Sequence, residues 1–73
     1  MIKLRANIYI NSSPNEDDGY LEGFVIISRE GEIILSFPTF GDNEEELRKI
    51  AAEDAEIMLR QKEIKFDSLI IVG

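Results

Sequence analysis

The chain has no cysteine and no histidine. The first absence removes disulfides and thiolate metal sites, and the second removes imidazole ligands and the commonest general base. Zinc centres and Ser-His hydrolysis are therefore excluded. No apolar run approaches the roughly 20 residues of a membrane-spanning helix, and the first residues lack the apolar core of a secretory signal. A cytoplasmic protein with no membrane partner is expected. Glycine and proline are few, five and two in 73 residues, and the hydrophobic fraction is 44%. Such a chain has enough apolar surface to offset its ordering entropy and should fold.

Positive charge is also scarce. Eight basic against fifteen acidic residues give a formal net charge of −7. This charge repels phosphate backbones, so free nucleic acid is a poor default partner, and it favours a basic protein surface, because opposite potentials steer encounter. The length is that of one domain, residues 1–73, near the lower limit for independent folding, where only about 60% of the surface is buried and oligomerisation helps.

Period-two patterning opens the chain. Ile2, Leu4, Ala6, Ile8 and Ile10 alternate with Lys3, Arg5, Asn7 and Tyr9, which predicts a strand with one dry and one wet face. Residues 11–19, NSSPNEDDG, collect turn-forming types and three consecutive acids, and read as a polar loop. A second strand over residues 20–28 becomes nearly continuously apolar after Glu22, as a strand buried on both faces at one end would. Gly23 within it marks a bulge or a close approach of another backbone. Residues 28–32 form a tight hairpin connection in which Gly31 supplies a positive φ. The third strand, residues 32–37, is predicted to place Ile33, Leu35 and Phe37 on one face and to end at Pro38, which lacks the ladder donor.

Residues 41–61, GDNEEELRKIAAEDAEIMLRQ, are the one strong helical pattern, with Leu47, Ile50, Ala51, Ala55, Ile57 and Met58 on one side. Asp42 or Asn43 can cap it, with Glu45 or Glu46 three positions on. Glu45 with Lys49 and Glu56 with Arg60 have the spacing of surface ion pairs. Asp54 falls within the apolar arc, where an unpaired charge is costly, and pairing with Arg5 or Lys65 is the expected remedy, with a role in partner contact as the alternative. Leu69 to Val72 reads as a fourth strand. The result is an α+β fold of order β-β-β-α-β. It consists of a three-stranded antiparallel meander, a fourth strand brought by a right-handed crossover parallel to the first, and one helix on one face of the sheet.

The run from Gly23 to Phe37 resembles the second and third strands of the ribonuclease H-like fold, and Asn43-Glu44-Glu45-Glu46-Leu47 resembles the start of that fold's first helix. By that resemblance Glu46 stands at a metal-binding glutamate, and Asn11 stands where the first strand of the family carries an aspartate. A second resemblance is to HicB-type antitoxins, small acidic proteins whose fold is a partial version of the same architecture. Gly41-Asp42-Asn43-Glu44-Glu45-Glu46-Leu47 is similar to their Gly-Asp-Thr-x-Glu-Glu-Ala helix start, and Glu16-Asp17-Asp18-Gly19-Tyr20 is similar to their Glu-Asp-Gly-Tyr turn. Their Pro-Gly-Cys segment between the second and third strands is replaced here by a regular hairpin.

Two-metal phosphoryl transfer needs several converging carboxylates. Asn11 is neutral, and Glu46 alone cannot assemble such a site, so no catalysis, metal or cofactor is expected. Glu16, Asp17 and Asp18 lack the spacing of a calcium loop. Lys3, Arg5 and Tyr9 share a wet face that could stack and hold single-stranded nucleic acid, but two cations and one ring on an acidic chain make a weak platform. The HicB resemblance implies instead a non-catalytic interaction module that neutralises a small basic RNA-cleaving toxin. The candidate contacts are Glu45, Glu53 and Glu56 on the helix and Glu16, Asp17 and Asp18 in the loop. Exposed strand edges invite a homodimer.

Overall fold

Strand β1 (Lys3–Ile10) follows the alternation of the sequence residue by residue: Leu4, Ala6 and Ile8 are buried and Lys3, Arg5 and Tyr9 exposed. In the computed structural model, which describes residues 1–11 and 20–73, it is followed by β2 (Leu21–Arg29), β3 (Glu32–Gly41), α1 (Glu44–Gln61) and β4 (Ser68–Val72). The four strands form one sheet in the order β3-β2-β1-β4. β1 is antiparallel to β2 and parallel to β4, and β2 is antiparallel to β3. The fold is α+β with the expected element order, and α1 packs mainly on β3, β2 and β1.

The core lies between one sheet face and the helix. Leu4, Ala6, Ile8, Val25, Ile27 and Phe37 meet Leu47, Ala51, Ala55 and Leu59. Each large aliphatic side chain so enclosed contributes roughly 1.5–3 kcal/mol. The helix buries one i, i+4 row, Leu47-Ala51-Ala55-Leu59. Such a row drifts around a 3.6-residue helix, so the buried side is rotated from the predicted arc. Leu59 belongs to the core, whereas Ile57 is 50% exposed and Ile50 only half-buried.

Both ends of α1 are satisfied by local chemistry. At the start, Asn43 accepts a hydrogen bond on Oδ1 from the Glu46 N–H at 2.8 Å, and Glu44, Glu45 and Glu46 complement the dipole. At the finish, the Ile64 N–H donates to the Leu59 carbonyl at 2.9 Å and the Glu63 N–H to the Arg60 carbonyl at 3.0 Å. This is a Schellman cap, with Glu63 in the left-handed region at φ 56° and Ile64 packed against the core.

Three sequence expectations are corrected. β3 does not end at Pro38 but runs on to Gly41, with Pro38 opposite Phe24. An edge strand tolerates this because the missing donor need not come from the paired side. The register of β2 and β3 slips between Ile27–Leu35 and Ser28–Ile33, leaving Ile34 as the extra residue of a bulge. A bulge reverses the side on which residues before it fall, so Ile33 is 63% exposed on the far face while Ile34 packs against the core. Nor is β2 buried on both faces, since Phe24 is exposed.

Two glycines are required by close approach. A Cβ on Gly23 would lie 2.7 Å from the Tyr9 carbonyl oxygen, which makes this a close backbone approach and not a bulge. A Cβ on Gly41 would lie 2.5 Å from the Leu47 nitrogen, where the first helical turn rests on the end of β3. The hairpin between β2 and β3 turns on Glu30 and Gly31, with φ of 51° and 84°, which is the two-residue turn with both central residues at positive φ.

Candidate functional site

Glu45, Glu53 and Glu56 are all exposed on α1. Their i, i+8 and i+11 spacing sets them within one stripe of helix surface, interrupted by Lys49. Glu45 and Glu53 line a shallow, open depression of about 460 Å³ together with Asn43, Glu46, Lys49 and Ile50. Glu56 continues the stripe beyond it. A cleft this open does not enclose a small molecule, and its carboxylates suit a cationic surface laid across it. Glu16, Asp17 and Asp18 lie outside the described residues.

Ion pairing on this helix differs from the expectation. Among the described residues the pair formed is Glu44 with Arg48, 3.4 Å apart and largely in water, not Glu45 with Lys49 or Glu56 with Arg60. An exposed pair of this kind contributes at most about 1 kcal/mol. Glu45 and Glu56 therefore keep their carboxylates available. Asp54 is half-buried and makes no hydrogen bond or ion pair among the described residues. Arg5 cannot be its partner, because Arg5 lies on the opposite face of the sheet from the helix, and Lys65 makes no ion pair among the described residues.

The two positions of the ribonuclease H-like resemblance are not brought into one cleft. Glu46 lines the helix depression, whereas Asn11 lines a different one with Tyr9, Ile10, Glu22, Gly23 and Phe24. The Asn11 N–H donates to the Glu22 carbonyl at 2.8 Å. Among the described residues no group of three or more carboxylates is placed to hold a metal ion, and no helix is long and apolar enough to cross a membrane.

The sheet face away from the helix is a second surface. Cross-strand pairing aligns Tyr9, Phe24 and Pro38 in one row and Asn7, Ile26 and Ser36 in the next. Tyr20 meets Phe40 edge-on with ring centroids 5.8 Å apart. Tyr9, Phe24, Ile33, Phe40, Ile70 and Val72 are between 42% and 63% exposed. Of the aromatic and apolar residues on this face, sequence reasoning found only Tyr9, beside Lys3, Arg5 and Asn7. Phe24 and Phe40 share its parity once the hairpin register is known, but the bulge at Ile34 breaks the count along β3.

No family model matches the chain, and no match was found among curated proteins or solved structures.

Proposed function

We propose that this chain is a non-catalytic, acidic protein-interaction module, similar to HicB-type antitoxins, that covers and neutralises a small basic RNA-cleaving toxin in the cytoplasm. The observation that carries the reading is the stripe of Glu45, Glu53 and Glu56, exposed together on one helix with none of the three in an ion pair among the described residues. Fixed carboxylates of this kind accelerate encounter with a cationic partner and reject anionic ones. The reading includes a homodimer joined through a strand edge.

The test is coexpression with a small basic RNA-cleaving protein encoded beside it. Copurification and restored growth are expected. Combined Glu45→Lys, Glu53→Lys and Glu56→Lys should slow association by about tenfold or more and flatten its salt dependence. Full-speed binding by the triple variant, or no protein partner at all, overturns the proposal.

A second reading, a ribonuclease H-like remnant that binds metal or nucleic acid, draws on the Tyr9–Phe24 pair beside Arg5 and Lys3. Base stacking on such rings is worth roughly 1–3 kcal/mol per base. Fluorescence anisotropy with single-stranded RNA, and Mg²⁺ titration followed by NMR at Asn11 and Glu46, distinguish it from the first.

A further inference from the structure

Two edges bound the sheet, and they are built differently. β3 carries Glu32 at its start, a bulge at Ile34 and Pro38 in its second half. Each of these is a device that discourages strand addition. β4, Ser68-Leu69-Ile70-Ile71-Val72, has no charge, no proline and no register shift against β1. Among the described residues nothing pairs with its outer edge.

β4 is also apolar on both of its faces. The register Leu4–Leu69 and Ala6–Ile71 puts Leu69 and Ile71 on the helix side, while Arg5–Ile70 and Asn7–Val72 put Ile70 and Val72 on the other. Leu69 reaches the core. Ile71 does not: it is 41% exposed on the helix side, beside a helix that packs mainly on β1, β2 and β3. A strand end that is apolar above and below the sheet needs a neighbour that is apolar above and below.

We propose that β4 pairs antiparallel with β4 of a second copy of this chain about a two-fold axis normal to the sheet. The combined sheet runs β3-β2-β1-β4-β4-β1-β2-β3. This rests on the dimer part of the proposed function and not on the identity of a toxin.

Symmetry selects the antiparallel sense. A two-fold normal to the sheet keeps both helices on one side, so the two Ile71 side chains face each other in the gap between them. Parallel pairing would require a two-fold along the strands, which puts the helices on opposite sides and sets each Ile71 beside Ile70 and Val72 of the second copy, with only one helix on that side. Charge selects β4 over β3. The acids behind the net charge of −7 include Glu44, Glu45, Glu46, Glu53 and Glu56 on the helix and Glu30 and Glu32 at the hairpin, whereas the charged neighbours of β4 on β1 are Lys3 and Arg5. Joining β3 edges would bring glutamates together, and joining β4 edges keeps them apart. A single short edge buries less than a standard interface, so the dimer is weak, with dissociation in the micromolar range or above.

Sedimentation velocity on the full chain into the millimolar range tests this. The mass should rise towards twice the 8.3 kDa monomer. Ile70→Lys sets a cation near its symmetry mate and removes an apolar pair, and should raise the dissociation constant about tenfold or more. Phe24→Lys, on the same face but two strands away, should leave it unchanged. Circular dichroism on both variants separates lost pairing from lost folding. A chain that stays monomeric overturns both the β4 pairing and the dimer. A dimer that survives Ile70→Lys but is broken by Phe24→Lys overturns the β4 pairing alone.

Discussion

Thr39 is 1% exposed, and its hydroxyl has no hydrogen-bond partner among the described residues. Burying an unmatched hydroxyl costs about 1–3 kcal/mol, and valine has nearly the same shape without it. Thr39→Val should therefore raise stability by about 1 kcal/mol, read as a higher urea midpoint at unchanged slope. Glu63 stores energy in its backbone instead, holding φ 56° at the C′ position of the Schellman cap, where glycine is preferred. An L-residue in that region costs roughly 1–2 kcal/mol, part of which glycine returns through a freer unfolded chain. Glu63→Gly should stabilise by about 0.5–1 kcal/mol in the same assay. The cost at Glu63 and at Glu30 was not visible in the sequence, because a glutamate carries no mark of its φ. Gly31, in the same turn as Glu30, did announce its positive φ.

At the scale of elements, the sequence was most legible where one period ran undisturbed. β1 was readable from its alternation and the helix start from Asp42 or Asn43 with a glutamate three positions on, of which the structure uses Asn43. β4 stood out as a β-branched run after the helix. It was least legible where geometry accumulates. The bulge at Ile34 moves every earlier β3 residue to the other face, and no residue type there signals it. Pro38 ends a central strand but not an edge strand, and edge status is decided by topology. The helix rotation depends on a drift that shows only over several turns. Leu59→Ala should then cost about 2–4 kcal/mol, while Ile57→Ala should cost under about 1 kcal/mol, although a helical wheel centred on the predicted arc ranks them the other way. Thermal unfolding of the two variants decides the matter. The acidic stripe was legible for the same reason as the helix, because spacing alone places exposed residues. The apolar outer sheet face was not, since it depends on strand register.

Across the whole molecule, the sheet is closed by contacts between distant parts of the chain. The Ile2 N–H donates to the Asp67 carboxylate at 2.6 Å, and the Asp67 N–H returns a bond to the Ile2 carbonyl at 2.8 Å. This double contact aligns β4 beside β1 in parallel register. That register has a mechanical consequence. Force applied between Lys3, at the start of β1, and Val72, at the end of β4, acts along both strands in opposite directions, so the ladder bonds between them share the load in shear. Force applied between Glu22 and Phe40, which sit opposite each other near the open end of the β2–β3 hairpin, breaks the bonds one after another. Because the chain has no cysteine of its own, paired cysteine handles can be introduced uniquely at either position. In an optical trap the first pair should rupture at clearly higher force than the second, making this small domain stiff along one axis and yielding along another.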